Sequence, residues 1–572
     1  MSRGTLEGFP NPPAKGLGER SSPAPTRSTG RLVAVIVALL LCATASAAQA
    51  EDRPSEQDIF GGSSTAAPAP AAPASGPTAA PGASSASPST ATPPAAAAAS
   101  SQGGASSTPG GTARDQELLG GNDVKFLSDY VAPENPLQIG GQLYLRMQST
   151  AYGGQAPAAW SLDAPSLLDL YLDARPNPRV RAFVLGRMAY DPTLCPSGTL
   201  QTSAGCVPGG SVSSNGANMM SNGAPSGTGF ATFGTGRGPN TLLDQMWIRF
   251  DIFEKVFVTA GKQHVRWGTG HFWQPTDYLH QQKRNPLDVF DARPGTTMLK
   301  VNVPWEEKGW NFYGFAIAED PNASTQTVGD VAGAFRVEAV IAGVEVGADT
   351  YLRRHQDPRF GFDLSTGIWD FDIYADVALR PGSDFLHDFP QDGNFYAFNG
   401  YETQAVGGIT YSHKYNDNDM WTLGAEYFYN HPGYTGTGAP VQVIQDAVMT
   451  QNPAVTSDPF GVLPFFYFGQ QYASVYLNLP APYSWNYSNF TLSTLGNLSD
   501  RSFITRVDYS VTVLTHLSVE AFAGVHYGHI GGEFRLQLPP ALANEISTFS
   551  GGSTVLSNYP VLDLGVALRI KL

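Results

Sequence analysis

Charged side chains crowd one passage of the chain. Lys262, His264 and Arg266 recur at every second position, and Asp277, Lys283, Arg284, Asp288, Asp291 and Arg293 follow close behind. A period of two puts the three basic residues on one face of a strand. The mixed charges beyond them fall in a loop. If that loop folds inward across an aqueous path, opposite signs face each other at its narrowest part. A field of that kind orders water and favours small polar solutes, because charged linings set the selectivity of a pore. Arg179, Arg181, Arg187 and Arg249 fall on the polar phase of nearby strands and extend the same basic wall. Two plainer accounts stay open. The loop charges could be solvated at a surface, and the wall arginines could pair with Asp on adjacent strands.

Other chemistries find little support. Ser412 and His413 are adjacent, but on a strand they point to opposite faces, so they cannot form a nucleophile–base pair. No H-E-x-x-H, Walker or G-x-G-x-x-G motif falls at a strand-to-helix junction. His271 with Asp277, and His355 with Asp357, lack a third ligand at useful spacing. An enzyme is therefore not expected, nor is any cofactor or metal. The formal net charge of -15 argues against nucleic-acid binding, which calls for a basic stripe.

The elements that carry these residues alternate strictly from about residue 136 to the end. Leu137, Ile139, Leu143, Leu145 and Met147 oppose Gln138, Gln142, Tyr144 and Arg146; Leu168, Leu170 and Leu172 oppose Asp169, Tyr171, Asp173 and Arg175. Leu242, Met246, Ile248 and Phe250 oppose Gln245, Trp247, Arg249 and Asp251. Trp369, Phe371, Ile373, Val377 and Leu379 oppose Asp370, Asp372, Asp376 and Arg380. The last strand sets Leu562, Leu564, Val566, Leu568, Ile570 and Leu572 against Asp563, Arg569 and Lys571. A soluble sheet with one wet face shows the same alternation. Three features favour a membrane barrel instead. Tight connections at 176–178, 253–254, 342–343 and 515–516 contrast with long ones at 192–238, 271–293, 381–402, 431–469 and 529–559, as in barrels with short inner turns and long outer loops. The strand count, about 18 (16–18), is enough to enclose water. Aromatics gather near strand ends, at Trp267, Phe272, Trp273, Trp421, Tyr427, Tyr429, Tyr483, Trp485 and Tyr487, where a girdle would meet the membrane surface. Val265 and Trp267 take the phase assigned to lipid. Composition agrees: 62 Gly, 31 Phe, 24 Tyr and only 15% charged residues suit a barrel with a polar lumen.

The segment Gly261-Lys262-Gln263-His264-Val265-Arg266-Trp267-Gly268, with Pro275-Thr276-Asp277 and Asn285-Pro286-Leu287-Asp288 after it, resembles a stretch of porin-like outer-membrane β-barrel proteins of proteobacteria. Asn497-Leu498-Ser499-Asp500-Arg501-Ser502 resembles the outer turn of a late hairpin in such barrels. The resemblance covers a small part of the chain and implies a barrel that passes or exports solutes. Such barrels usually finish on an aromatic residue, whereas this chain ends on Leu572; the alternation of the last strand survives.

The remaining expectations concern placement. Arg20, Arg27 and Arg31 precede an apolar run at 32–43, and Ala48-Gln49-Ala50 reads as an A-x-A cleavage site. Residues 1–50 are thus expected to be a signal peptide; the apolar run is too short for the roughly 20 residues a spanning helix needs. Residues 51–114, mostly Ala, Pro, Ser, Gly and Thr, read as a disordered linker in the periplasm. Residues 115–135 would form a short periplasmic segment, and 136–572 the all-β, antiparallel transmembrane barrel. Cys42 leaves with the signal peptide. Cys195 and Cys206 remain, and in an exported protein such a pair reads as a disulfide; a metal site is the alternative, with no His or third Cys near. The expected setting is the outer membrane of a two-membrane bacterium, with lipid and small polar solutes as partners and room for a homo-oligomer. A plugged structural or assembly barrel, whose outer loops bind a surface polymer or protein, is the rival to a diffusion channel.

Overall fold

Eighteen strands, each hydrogen-bonded to the next in sequence, close on themselves. The computed structural model describes residues 136–193, 199–202, 205–208, 239–280, 283–287, 293–319, 327–382, 386–388, 393–397, 400–416, 419–450, 464–543 and 558–572. The barrel strands are β1 (Leu137–Tyr152), β2 (Ser166–Asn177), β3 (Val180–Tyr190), β4 (Asn240–Ile252), β5 (Val256–Gln263) and β6 (Thr296–Trp305). They continue with β7 (Trp310–Ile317), β8 (Ala332–Ile341), β9 (Val344–Leu352), β10 (Arg359–Ile368), β11 (Phe371–Pro381) and β12 (Tyr401–Lys414). The last six are β13 (Met420–Asn430), β14 (Gln471–Pro480), β15 (Ser488–Asn497), β16 (Ser502–Leu514), β17 (Leu517–Gly528) and β18 (Pro560–Lys571). Every pairing is antiparallel. β18 returns to β1 with Gln142 opposite Lys571, and the Leu572 amide donates to the Gly141 carbonyl at 2.8 Å. The C-terminal strand therefore closes the ring although it ends on leucine.

Burial is inverted relative to a soluble protein. On β1, Ile139 is 72% and Met147 60% exposed, while Gln142 and Arg146 are buried at 3% and 2%. The apolar phases of β2, β4 and β18 likewise face out, at Leu170, Leu172, Met246, Ile248 and Val566, and Asp169, Asp173 and Asp563 face in. A continuous apolar outer surface is unfavourable in water and satisfied in lipid. No helix among the described residues is long and apolar enough to cross a membrane. A barrel of this kind crosses by its strands.

The tight connections lie at one end and the long ones at the other. At the tight end Trp369, Tyr483, Trp485 and Tyr487 are exposed, and at the long-loop end Tyr427 is. Trp267, Phe272 and Trp273 were expected in this girdle, and Trp267 with Val265 on the lipid side; all four are instead buried inside. The reason is local. β5 ends at Gln263, so the chain leaves the wall there and strand alternation no longer dictates direction.

A helix, α1 (Ala439–Met449), interrupts the connection between β13 and β14. Its buried residues Pro440, Val443, Ile444 and Ala447 recur at helical spacing. Val443, Ile444 and Ala447 pack against Tyr434 and Phe468 of the same connection and against Leu536 and Leu542 of the β17–β18 connection. Residues 1–135, the expected signal peptide, linker and periplasmic segment, lie outside the described residues. So does Cys195; Cys206 falls on the short hairpin Thr199–Thr202 with Gly205–Pro208.

Candidate functional site

The connection between β5 and β6 runs into the barrel and reaches the far wall. β13, β14 and β16, which it touches, stand about half-way round the ring of 18 from its root. The indole of Trp273 stacks on Phe428 at 5.5 Å between ring centres and lies 5.6 Å from Tyr472. Its Nε1 donates to the Phe466 carbonyl at 2.9 Å. Further along, Thr276 donates to Asp376 on β11 (3.1 Å), and Tyr278 donates to the Phe360 carbonyl on β10 (3.0 Å). Arg506 on β16 donates to the Leu287 carbonyl at 3.1 Å. Gly270 permits the sharp turn at the tip, because a Cβ there would run into the Trp273 carbonyl. The Gly270 carbonyl accepts from Arg266 (2.9 Å) and Gln274 (2.8 Å), which brace that turn.

Most of the charges singled out in the sequence sit on or near this loop and are paired. Arg187 on β3 bridges Asp169 on β2 (3.1 Å) and Asp244 on β4 (2.5 Å), and all three are buried. Asp244 also meets His264 Nε2 at 3.0 Å, and His264 Nδ1 lies 3.4 Å from His280 Nε2. His280 Nδ1 is 2.9 Å from Asp277, which takes Arg293 at 3.0 Å as well. A chain of acidic, guanidinium and imidazole side chains thus links the barrel wall to the loop. Arg181 forks onto Asp173 at 2.8 and 3.0 Å. Lys262 pairs with Glu319 at 2.9 Å, and Arg249 donates to Thr259 (3.3 Å) and lies over the Trp247 ring. Lys283 stands 5.8 Å from the Tyr467 ring, and Arg284 donates to the His271 carbonyl. Asp288 and Asp291 lie outside the described residues.

One expected wall residue is misplaced. Arg179 is in the β2–β3 turn, half exposed and paired with the equally exposed Glu254. The register shifts between Ala174 and Asn177, and the turn residues beyond are free of strand alternation.

Several interior residues escaped the sequence reasoning. Asp244 falls on the apolar phase of β4 with Leu242 and Met246. The β3–β4 register slips there, so that Leu185 faces Gln245 and Gly186 faces Leu243, leaving Asp244 as the extra residue of a bulge. Asp244 and Gln245 consequently both face in. The signal was the acid breaking an apolar phase. A second cluster joins Arg336 on β8 to Asp349 on β9 (3.1 Å) and Asp363 on β10 (2.7 Å). Glu426 on β13 and Glu533 are buried too, and both accept from backbone amides of connections distant in sequence.

Glu533 sits in the β17–β18 connection. It accepts from the Phe466 amide, Tyr472 Oη (2.6 Å) and Asn497 Nδ2 (2.8 Å), while its own amide donates to Asp500 at 2.6 Å. Burial first, and the neighbouring Asp500 second, push its carboxyl up to about 8.

Among the described residues no group of three or more His, Cys, Asp and Glu is placed to hold a metal. Ser412 bonds Thr422, whereas His413 lies beside Tyr411 and Trp421, so these two are not brought together.

No family model and no curated protein matches the sequence. Solved structures do align with it. Acinetobacter baumannii OccAB1 is 9% identical, with 78% of this chain and 99% of that one covered, at a TM-score of 0.41. Pseudomonas putida OprB in its high-pH structure is 9% identical, covering 76% and 94%, at 0.39. A BenF-like porin from Pseudomonas fluorescens Pf-5 is 10% identical, covering 78% and 100%, also at 0.39.

Proposed function

We propose that this chain is an outer-membrane channel for passive diffusion of small polar solutes. The observation that carries the proposal is the inverted barrel: an apolar outer face and a charged, hydrogen-bonded inner face on the same 18 strands. A ring of that size encloses an aqueous passage, and the loop from β5 to β6 narrows it. The charges of both signs on that loop and its root favour polar over apolar solutes. Arg181, Arg187, Arg249, Lys262, His264 and Arg266 belong to this lining, most of them as members of ion pairs and not as isolated cations. No catalytic role is proposed for them. The proposed mature chain lacks residues 1–50, carries 51–114 as a periplasmic linker and 115–135 as a short periplasmic segment, and bridges Cys195 to Cys206.

Purified protein in a planar lipid bilayer tests the proposal. Stepwise, ohmic conductance that persists across small ions of both signs is the expected result. A barrel that inserts and conducts nothing overturns it and favours the plugged assembly barrel.

A further inference from the structure

We propose that Glu426 is the positioning residue that seats the loop across the channel, by filling an anion-shaped cradle made of three consecutive loop amides. This inference rests on the channel proposal for its meaning but not for its test. Glu426 projects inward from β13, one strand position before Phe428 on the same face, and is buried. Its Oε2 accepts from the His271 amide at 2.8 Å and Tyr374 Oη at 2.9 Å. Its Oε1 accepts from the Trp273 amide at 2.9 Å and the Phe272 amide at 3.2 Å. Two oxygens thus meet four donors, which is the full accepting capacity of a carboxylate. Successive backbone amides that converge in this way form a concavity suited to anions. Here the anion is supplied by the barrel wall itself.

The cradle exists only in this loop conformation. The turn at Gly270 aims the three amides the same way, and Trp273 locks between Phe428 and Tyr472 beside them. Without the carboxylate, the buried amides of Phe272 and Trp273 and the half-buried amide of His271 lose their acceptor at once, and each unmade buried bond carries a desolvation penalty. The loop then leaves the wall.

Removing the side chain leaves a hole the size of a carboxylate, lined by donors and open to a small anion. Glu426→Ala should therefore be rescued by formate. Trypsin reads loop position without any requirement for conduction, since Lys283 and Arg284 lie on the loop and are only partly exposed in the wild type. The wild-type barrel in detergent should resist cleavage there. Glu426→Ala should lose that resistance and regain it when sodium formate replaces sodium chloride. Glu426→Gln should fall between, because its amide nitrogen faces donors. In a bilayer, the same variant should conduct more than wild type, and formate should reverse the gain. Resistance unchanged in Glu426→Ala, or lost and not restored by formate, overturns the proposal. A wild type that conducts nothing while the trypsin pattern holds would sink the channel function alone.

Discussion

The inner surface has two unlike walls. Along β2 to β4, carboxylates meet arginines of the neighbouring strand, Asp173 with Arg181, Asp169 with Arg187 and Asp244 with Arg187, and Asp244 also takes His264 from the β5–β6 loop. Across the interior, Glu426 on β13 and Glu533 in the β17–β18 connection are answered by neutral donors, loop amides among them, although Glu402 on β12 still pairs with Arg380 on β11. Glu426 takes the amides of residues 271–273; Glu533 takes that of Phe466. Around them Phe272, Trp273, Tyr374, Phe428, Tyr472 and Phe534 make one apolar cluster. The first wall is held chiefly by pairs between adjacent strands, with His264 joining from a loop. The second is assembled by loops arriving from elsewhere, so it is the wall where conformation can change. The polar phase of a strand therefore does not tolerate every charge. Asp169 is fully buried and spoken for by Arg187 and Gln142, so a basic residue there would meet Arg187 directly.

The largest effect expected is on the ion-paired wall. Arg187→Met removes the guanidinium shared by two buried carboxylates and leaves Asp169 only Gln142 and Asp244 only His264, and breaking a buried pair in this way costs about 3–5 kcal/mol. Thermal unfolding in detergent, followed by the loss of the compact band on a gel, measures it. Replacing Asp169 and Asp244 with Asn in the same chain should recover much of the loss. If Arg187→Met alone unfolds at the wild-type temperature, the pairing is not what stabilises this wall.

A smaller effect is expected one residue away, on the opposite face. Leu170→Arg places a cation against lipid, at about 2–4 kcal/mol near the midplane. Unlike the first change, it should act on insertion: the variant should fold poorly into vesicles and show little change in detergent, where the head group can reach water. Equal behaviour in both media would mean that the apolar phase does not face lipid.

The smallest effect separates the walls by pH. With the Glu533 carboxyl raised to about 8 from an ordinary 4.5, the native state holds a proton that the unfolded chain releases. Its contribution is therefore complete below about 4.5 and is lost as pH rises through about 8. Hydrogen-exchange protection of the Phe466 and Phe534 amides should decline between those limits, and the decline should flatten in Glu533→Gln. A decline that survives Glu533→Gln would assign the pH response to another group.

How much of this was legible follows from distance along the chain. The face of each strand could be read from residues such as Leu170 and Asp169, because alternation is a property of neighbours. Ring closure followed from the number of such strands and from their short turns. The bulge at Asp244 was hidden because a single extra residue shifts every face beyond it, and alternation offers no independent count. Trp267 and Trp273 were assigned to the girdle because aromatics near strand ends usually sit there. Nothing local reports that β5 stops at Gln263.

By itself, the sequence determined the class of fold, the outward face of strands free of bulges and the end at which long loops gather. All three depend on contacts between residues close in sequence or in register, which periodicity records. Only the tertiary structure decided which charges are spent in pairs, where the β5–β6 loop crosses and which carboxylate receives it. Glu426 and the amides of 271–273 are brought together by closing a ring, over a separation at which hydrophobic pattern carries no information about position. The free energy that seats the loop resides in those non-local contacts, between groups whose types are common and whose partners are set by geometry alone.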